Sequence, residues 1–358
     1  MTGQTWQRLD EMPFAHGGPV GCGLIRGSAE DFQVEEVLGF SPDGEGEHVL
    51  IQLRKRDTNT VWLSRQLAKF ADVPARDVSY AGLKDRHAVT TQWFSVRLAG
   101  RAEPDWEAFN SELAEVLVHE RHRRKLKQGA LRGNRFRLLV RGIEADTDLL
   151  EQRLRQLREL GFPNYFGTQR FGHNYGNLAQ ADLFFSGQSG RIDRKLRGLL
   201  ISAVRSQLFN QVLAERLRRQ DWDRILPGER ASLDGSRSSF SVEEIDEEIQ
   251  RRCREKDIHP SGPLWGRGRL PVEGEVLALE EQVLAPFGEW RNSLEHVGLE
   301  QDRRTLRIGV DDLRWEFSEA GVLGLTFFLP AGSYATMLLR ELLRVSEPAV
   351  GRSGAPPR

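Results

Sequence analysis

Two cysteines, Cys22 and Cys253, are all that the 358 residues carry. That excludes a disulfide scaffold and a cysteine-rich zinc site. A surplus of one charge is missing as well: 51 Lys and Arg stand against 52 Asp and Glu, for a net charge of −1. No global field announces a polyanionic partner, so any such contact must come from local clustering. No segment approaches ~18 uninterrupted apolar residues, and the amino-terminal stretch holds no apolar core of signal-peptide length. The expected address is the cytoplasm, with no membrane contact. The G-x-x-x-x-G-K-S/T loop and the dinucleotide fingerprint are also missing. What is there is 39% hydrophobic and 29% charged. That suits a globular chain of two domains, or of one domain with a large insertion.

The stretch around which the chain is organised is Y-A-G-L-K-D-R-H-A-V-T-T-Q-W-F-S-V, Tyr80 to Val96. Val78 and Tyr80 alternate as a strand does, Gly82 permits a sharp turn, and Phe94, Val96 and Leu98 resume the alternation. Lys84, Asp85, Arg86 and His87 sit between them. An acid flanked by bases at a strand end reads as a solvated hairpin turn. The sharper alternative is a carboxylate held ionised by Lys84 and Arg86 and ready as a nucleophile. The segment's own physics leaves both readings open.

Upstream, Phe32 and Val34 share one face of a short strand within Ile25–Leu38, where a lone Phe is ordinarily core. Residues 1–20 read as a loosely held arm with Trp6 as its one large anchor. Val49, Ile51 and Leu53 form a buried-face strand. Asn59 or Thr60 caps a helix through Leu63, Leu67 and Phe70. Phe109, Leu113, Val116 and Leu117 predict a further helix from Trp106 to about Val118.

The most basic stretch follows, His119 to Arg137, in which Arg121, Arg123, Arg124, Lys125, Lys127, Arg132, Arg135 and Arg137 face only Glu120. Such a run is a solvated face or a field that a phosphate backbone can feel. His119 and His122 have no third ligand at a recognisable spacing, so no metal is expected. R-G-N-R-F-R at 132–137 opens another strand, with Asn134 as an ordinary turn residue on local grounds.

An amphipathic helix through Leu150, Leu154 and Leu157 stops at Gly161. P-N-Y-F-G-T-Q-R-F-G at 163–172 reads as an interdomain loop. A long helix is predicted from Lys195 to Arg219, and Ser241 with Glu244 as a capping box before a charged helix. The last segment returns to strands, then to A-G-S-Y-A-T at 331–336 and a helix from Ala335 to about Val345. The glycine- and proline-rich end, 351–358, reads as a disordered tail.

Five of these strings, in order and over nearly the whole chain apart from its ends, resemble the TruD family of tRNA pseudouridine synthases. They are the Phe32 piece, G-L-K-D-R-H-A-V-T-T-Q-W-F-S, R-G-N-R-F-R, P-N-Y-F-G-T-Q-R-F-G and A-G-S-Y-A-T. The resemblance implies that Asp85 is the nucleophile that isomerises uridine and that Phe32 lies against the substrate base. It gives Asn134 a hydrogen-bonding role and Phe136 a base-holding one. Arg170 is assigned to a phosphate or to Asp85. Tyr334 stands where the family usually has phenylalanine, keeping the stacking face but adding a hydroxyl. Lys84, Arg86 or Arg170 is expected to supply the cation that keeps Asp85 ionised. Arg123, Arg124, Lys125 and Arg132 are expected on the RNA backbone.

The implied substrate is tRNA, with uridine 13 as the usual target, and the chemistry needs no cofactor and no metal. The implied fold is α+β: a pseudouridine synthase-type catalytic domain with a mixed, largely antiparallel sheet from residues 1–160 and 309–358, and a large α+β insertion domain at 161–308. A monomer without protein partners is expected. The rival reading is a non-catalytic RNA-binding or tRNA-folding protein, which would have no need of Asp85 inside an intact motif. An RNA-cleaving enzyme is a third, weakened by the lack of paired histidines or a carboxylate cluster.

Overall fold

The computed structural model describes residues 6–127, 129–236, 238–318 and 321–348. The expected tail at 351–358 and the first five residues of the expected arm lie outside them. The chain separates into two compact units, one of Val20–Leu150, Val310–Ser333 and Leu343–Arg358, the other of Met1–Pro19, Glu151–Gly309 and Tyr334–Leu342. Residues 6–19, 151–160, 309 and 334–342 thus group with the segment at 161–308, whereas the sequence reading placed them with the rest of the chain.

The first unit is built on a ten-stranded mixed sheet. In chain order its strands are β1 (Gly21–Leu24), β2 (Phe32–Leu38), β3 (His48–Arg56), β4 (Val78–Tyr80), β5 (Val89–Arg97), β6 (Ala114–His122) and β7 (Leu131–Ala145), followed by Asp311–Ser318, Val322–Pro330 and Arg344–Ser346. The main path runs Asp311–Ser318, Val322–Pro330, β7, β2, β5, β3, β6. Among the described residues of this sheet, only β2 with β5 and β1 with Arg344–Ser346 pair parallel. This is the expected α+β, largely antiparallel architecture.

Strand β3 shows why the sheet forms here. Val49, Ile51 and Leu53 pack with Phe94 and Val96 of β5 against Leu63 and Leu67 of helix α1 (Thr60–Phe70), while Leu50 on the other face meets Trp93 and Leu126. Asn59 caps α1 as expected, its side chain accepting the Val61 and Trp62 N–H groups.

Paired residues of neighbouring strands share a face of the sheet. Phe32, Val34 and Glu36 of β2 lie opposite Leu138, Phe136 and Asn134 of β7, and Val34 lies opposite Thr90 of β5, which faces Lys55 of β3. That one face therefore runs from an aromatic patch to a strip of polar and charged groups. Next to Asn134, on the other face of β7, Gly133 leaves no room for a side chain, because a methyl there would overlap the Leu329 carbonyl and the Phe328 ring.

The second unit is organised on the buried 25-residue helix Arg194–Arg218, with helices Gly176–Phe185 and Gly274–Leu284 packed against it and short sheets beside it. Arg216 is buried in it and pairs with Asp221 at 2.6 Å and Glu229 at 3.2 Å.

Three sequence expectations fail. Trp106 to Val118 is not a helix: one 3-10 turn, Trp106–Phe109, precedes β6. The Asn110 side chain accepts the Val116 N–H, and β3 takes the strand's backbone groups, so sheet pairing overrides helical spacing. Ser241 is in a strand, its hydroxyl accepting from Arg230, and the charged helix starts at Glu247 with Asp246 as its cap. Residues 6–19 are not loose. Leu9 and Met12 are buried, the Trp6 ring lies 5.3 Å from Tyr175, and Arg340 donates to the Leu9 and Met12 carbonyls.

Candidate active site

The loop between β4 and β5, which carries Asp85, is held from beneath by the polar strip. Gln92 donates to the Gly82 carbonyl at 2.6 Å, and the Lys84 N–H donates to the Thr60 hydroxyl at 3.3 Å. Lys55 Nζ donates to the Thr58 carbonyl at 2.7 Å and to the Asp85 carbonyl at 3.1 Å. Lys55 is only 1% exposed, and burial pushes its ammonium down to about 8 from the ordinary lysine value. The loop backbone is thus fixed, while the Asp85 side chain stays 44% exposed.

The cation on Asp85 is none of those expected in this loop. Arg26 Nη2 lies 2.7 Å from Asp85 Oδ2, and Arg26 Nη1 lies 2.5 Å from Glu347. Lys84 instead pairs with Glu36 at 2.5 Å, and Arg86 makes a long contact to the Asp57 carbonyl. Burial pushes the Glu36 carboxyl up, Lys84 pulls it down, and the Trp93 N–H donates to its other oxygen. Arg26 carries a left-handed backbone, φ +57°, a conformation that costs a non-glycine residue of order 1 kcal/mol and is found where surrounding structure enforces it. Its guanidinium lies 4.2 Å from the centre of the Phe32 ring.

Phe32 and Phe136 are both buried, with Phe32 edge-on to Phe136 at 6.3 Å and Phe136 stacked on Phe327 at 5.2 Å. They form an aromatic floor under Arg26. Asn134, opposite Glu36, keeps a buried Oδ1 without a hydrogen-bond partner, and so does the Thr90 hydroxyl. Unpartnered buried acceptors are rare and invite a donor.

The basic stretch is more compensated than its sequence implies. Arg121 pairs with Glu103 at 2.7 Å, Arg123 with Glu45, and Arg135 with Glu35 at 3.6 Å, while Lys125 donates to the Arg76 carbonyl. Arg132 lies over the Phe328 ring. Arg124, Lys127 and Arg137 make no close ion pair among the described residues, although Arg124 adds to the positive field that holds the Asp43 carboxyl down. His119 and His122 face Glu103 and Asp43, and no cluster of three metal-ligating side chains occurs among the described residues.

Arg170 and Tyr334 belong to the second unit, where Arg170 Nη2 donates to the Tyr334 hydroxyl at 3.0 Å. Sequence reasoning missed Arg26, Glu347, Glu36 and Lys55. Lys55 and Glu36 left a signal, since they continue the inward alternation of Val49, Ile51 and Leu53 and of Phe32 and Val34.

An exposed carboxylate paired with a guanidinium that lies over an aromatic ring can act as a nucleophile or a base on a planar, hydrogen-bonding ligand. A family model described as tRNA pseudouridine synthase D (TruD) matches residues 12–180 and 177–342. The chain belongs to the TruD family. Two TruD relatives, each named tRNA pseudouridine synthase D, are close in sequence. The one from Methylococcus capsulatus is 52% identical over 94% of this chain and 95% of its own length. The one from Nitrosococcus oceani is 53% identical over the same shares. A solved TruD structure from Methanosarcina mazei matches 92% of this chain and 95% of its own with a TM-score of 0.68 at 22% identity, which speaks to the fold. Among the described residues, no helix is long and apolar enough to cross a membrane.

Proposed function

We propose that this protein isomerises uridine to pseudouridine in tRNA, with Asp85 as the nucleophile and uridine 13 as the target. The observation that carries the reading is the exposed Asp85 carboxylate fixed to Arg26 inside the family's motif. In the reaction the bond from ribose C1′ to N1 breaks, the uracil turns, C1′ joins C5, and the proton leaving C5 is replaced by one gained at N1. Asp85 either adds to C1′ as an ester or takes a proton from C2′ on a glycal route. Both need its ionised form, which Arg26 favours.

A uridine in folded tRNA must first be everted, at a cost of a few kcal/mol that the pocket's contacts offset. The Asn134 carbonyl, buried and unpartnered, suits the N3–H of the uracil edge. Phe32 serves the base as a stacking face only once the Arg26 guanidinium shifts off its ring. Lys84 supports the loop through Glu36, and Phe136 supports Phe32. Arg124 and Arg132 are the better candidates for RNA phosphates, with Arg123 and Lys125 joining them only by leaving their present partners. The segment at 161–308 is the insertion that sets this family apart. The protein acts as a monomer in the cytoplasm, where its tRNA substrate resides.

The test is tritium release from tRNA labelled at uridine C5. Wild type releases tritium and Asp85→Asn does not, while the variant's tRNA affinity stays within a few-fold. Tritium release by Asp85→Asn, or affinity lost in parallel with activity, defeats the assignment. Binding by the wild type without release leaves the non-catalytic RNA-binding reading.

A further inference from the structure

Two guanidinium groups converge on one ring in the second unit. Arg304 lies 4.1 Å and Arg170 5.3 Å from the centre of Phe166. The ring is placed by the long helix, whose Asn210 accepts the Phe166 N–H at 2.9 Å and donates to its carbonyl at 3.0 Å. Asn164 holds Arg304 through its side-chain oxygen and is itself tied to Thr305. Arg170 donates to two neutral hydroxyls, Ser202 at 3.1 Å and Tyr334 at 3.0 Å, and its buried Nε has no partner.

Three other arginines of this unit are treated differently. Arg216 has Asp221 and Glu229, Arg303 has Glu280, and Arg340 has Glu341. Arg170 has no such carboxylate among the described residues. Burial pushes the Arg304 guanidinium down to about 10, Tyr334 offsets this in part, and Arg170 adds to it. A half-buried cation oriented by hydroxyls rather than neutralised by a carboxylate is a fork prepared for an external anion. The Tyr334 oxygen accepts from Arg170, so its own proton is left to donate.

The geometry points to a phosphate site: Arg170, Arg304 and the Tyr334 hydroxyl together hold one backbone phosphate of bound RNA. The inference rests on the reading that the protein acts on tRNA. Ser202 and Asn164 are positioning residues that aim the two guanidinium groups. The Tyr334 hydroxyl serves here as a donor to the phosphate, apart from any stacking by its ring.

The experiment measures tRNA affinity against salt for wild type, Arg170→Met, Arg170→Lys and Tyr334→Phe, using tRNAs with one neutral methylphosphonate at successive positions. One position should weaken wild-type binding by about tenfold, the scale of a charge-assisted hydrogen bond. Arg170→Met should bind about as weakly as that and be insensitive at that position alone. Its salt slope should be shallower by about 0.7–0.9, one released counterion. Arg170→Lys keeps the charge but loses the fork, and falls between. Tyr334→Phe loses a few-fold at the same position.

Equal methylphosphonate losses in wild type and Arg170→Met at every position, with unchanged thermal unfolding, overturn the proposal. So does inorganic phosphate raising the melting temperature of wild type but not of Arg170→Met while no methylphosphonate position matters, because the site would then belong to a free phosphate. The readout is binding, so a wild type that shows the position-specific pattern but releases no tritium defeats the catalytic reading and leaves this one standing.

Discussion

Arg26 binds the Asp85 carboxylate through Nη2 at 2.7 Å while its Nη1 reaches Glu347 at 2.5 Å. One guanidinium is thus shared between the loop after β4 and the residue following the carboxy-terminal strand Arg344–Ser346. That strand is fixed to β1 by parallel pairing and by the Ile25 N–H, which donates to the Ser346 carbonyl at 3.0 Å. The chain's last described strand therefore helps to place the cation that faces Asp85.

Arg26→Met should lower tritium release by about 10²–10³-fold, the scale of removing one preorganised donor from a reacting centre. Arg26→Lys should recover part of the loss, since a point charge replaces the fork. Glu347→Gln frees Arg26 for Asp85 alone and should leave the single-turnover rate within a few-fold. A rate for Arg26→Met equal to wild type would show that the cation on Asp85 has no part in the chemistry.

Lys84 gives a prediction of a different kind. Its ammonium is 11% exposed and lies on the fully buried Glu36 carboxylate. Removing one partner of such a pair leaves an uncompensated charge and typically costs about 3–5 kcal/mol. Lys84→Met should lose stability on that scale at neutral pH. The Glu36 carboxyl already sits above its unfolded value because of burial, and without Lys84 it rises further. The folded state then binds the proton more tightly than the unfolded one, so the deficit should be full at neutral pH and shrink as pH falls toward the ordinary glutamate range. Denaturant unfolding of both proteins across that range measures it. Lost activity with stability intact would instead make Lys84 the working partner of Asp85.

These two cases show what the sequence makes legible. Asp85 and Asn134 stand in contiguous strings, so their candidacy needs no tertiary information. The cation on Asp85 does, because Arg26 is 59 residues away and Glu347 is 321 residues from Arg26, with no local pattern linking them. Periodicity marked the strand at Val49–Leu53 and the helices at 60–70 and 194–218, whose burial repeats over many residues. It misread Trp106–Val118, where four apolar positions fit a helix and an edge strand alike and pairing with β3 decides. At Ser241 and Asp246 two good capping residues lay five apart, and the hydroxyl of the first was taken by Arg230. The basic run overstated free charge because Glu35, Glu45 and Glu103, its partners, lie elsewhere in the chain.

Lys55 ties loop geometry to pH. Its Nζ donates to the carbonyls of Thr58 and Asp85, and burial lowers its pKa to about 8. The unfolded chain keeps the ordinary lysine value of 10.5, so between about 8 and 10.5 the unfolded state binds a proton that the folded state does not. Stability attributable to Lys55 must then rise with pH through that window, by on the order of 3 kcal/mol for a shift of this size. Below it the residue is charged in both states and its burial is a constant cost. Lys55→Met removes the titration, so the difference in unfolding free energy between wild type and variant should grow in favour of wild type from neutral pH to about 10.5. A neutral amine still has protons for both carbonyls, so the loop stays in place while the charge is lost. A difference that stays flat across the window would mean that Lys55 titrates as an ordinary surface lysine.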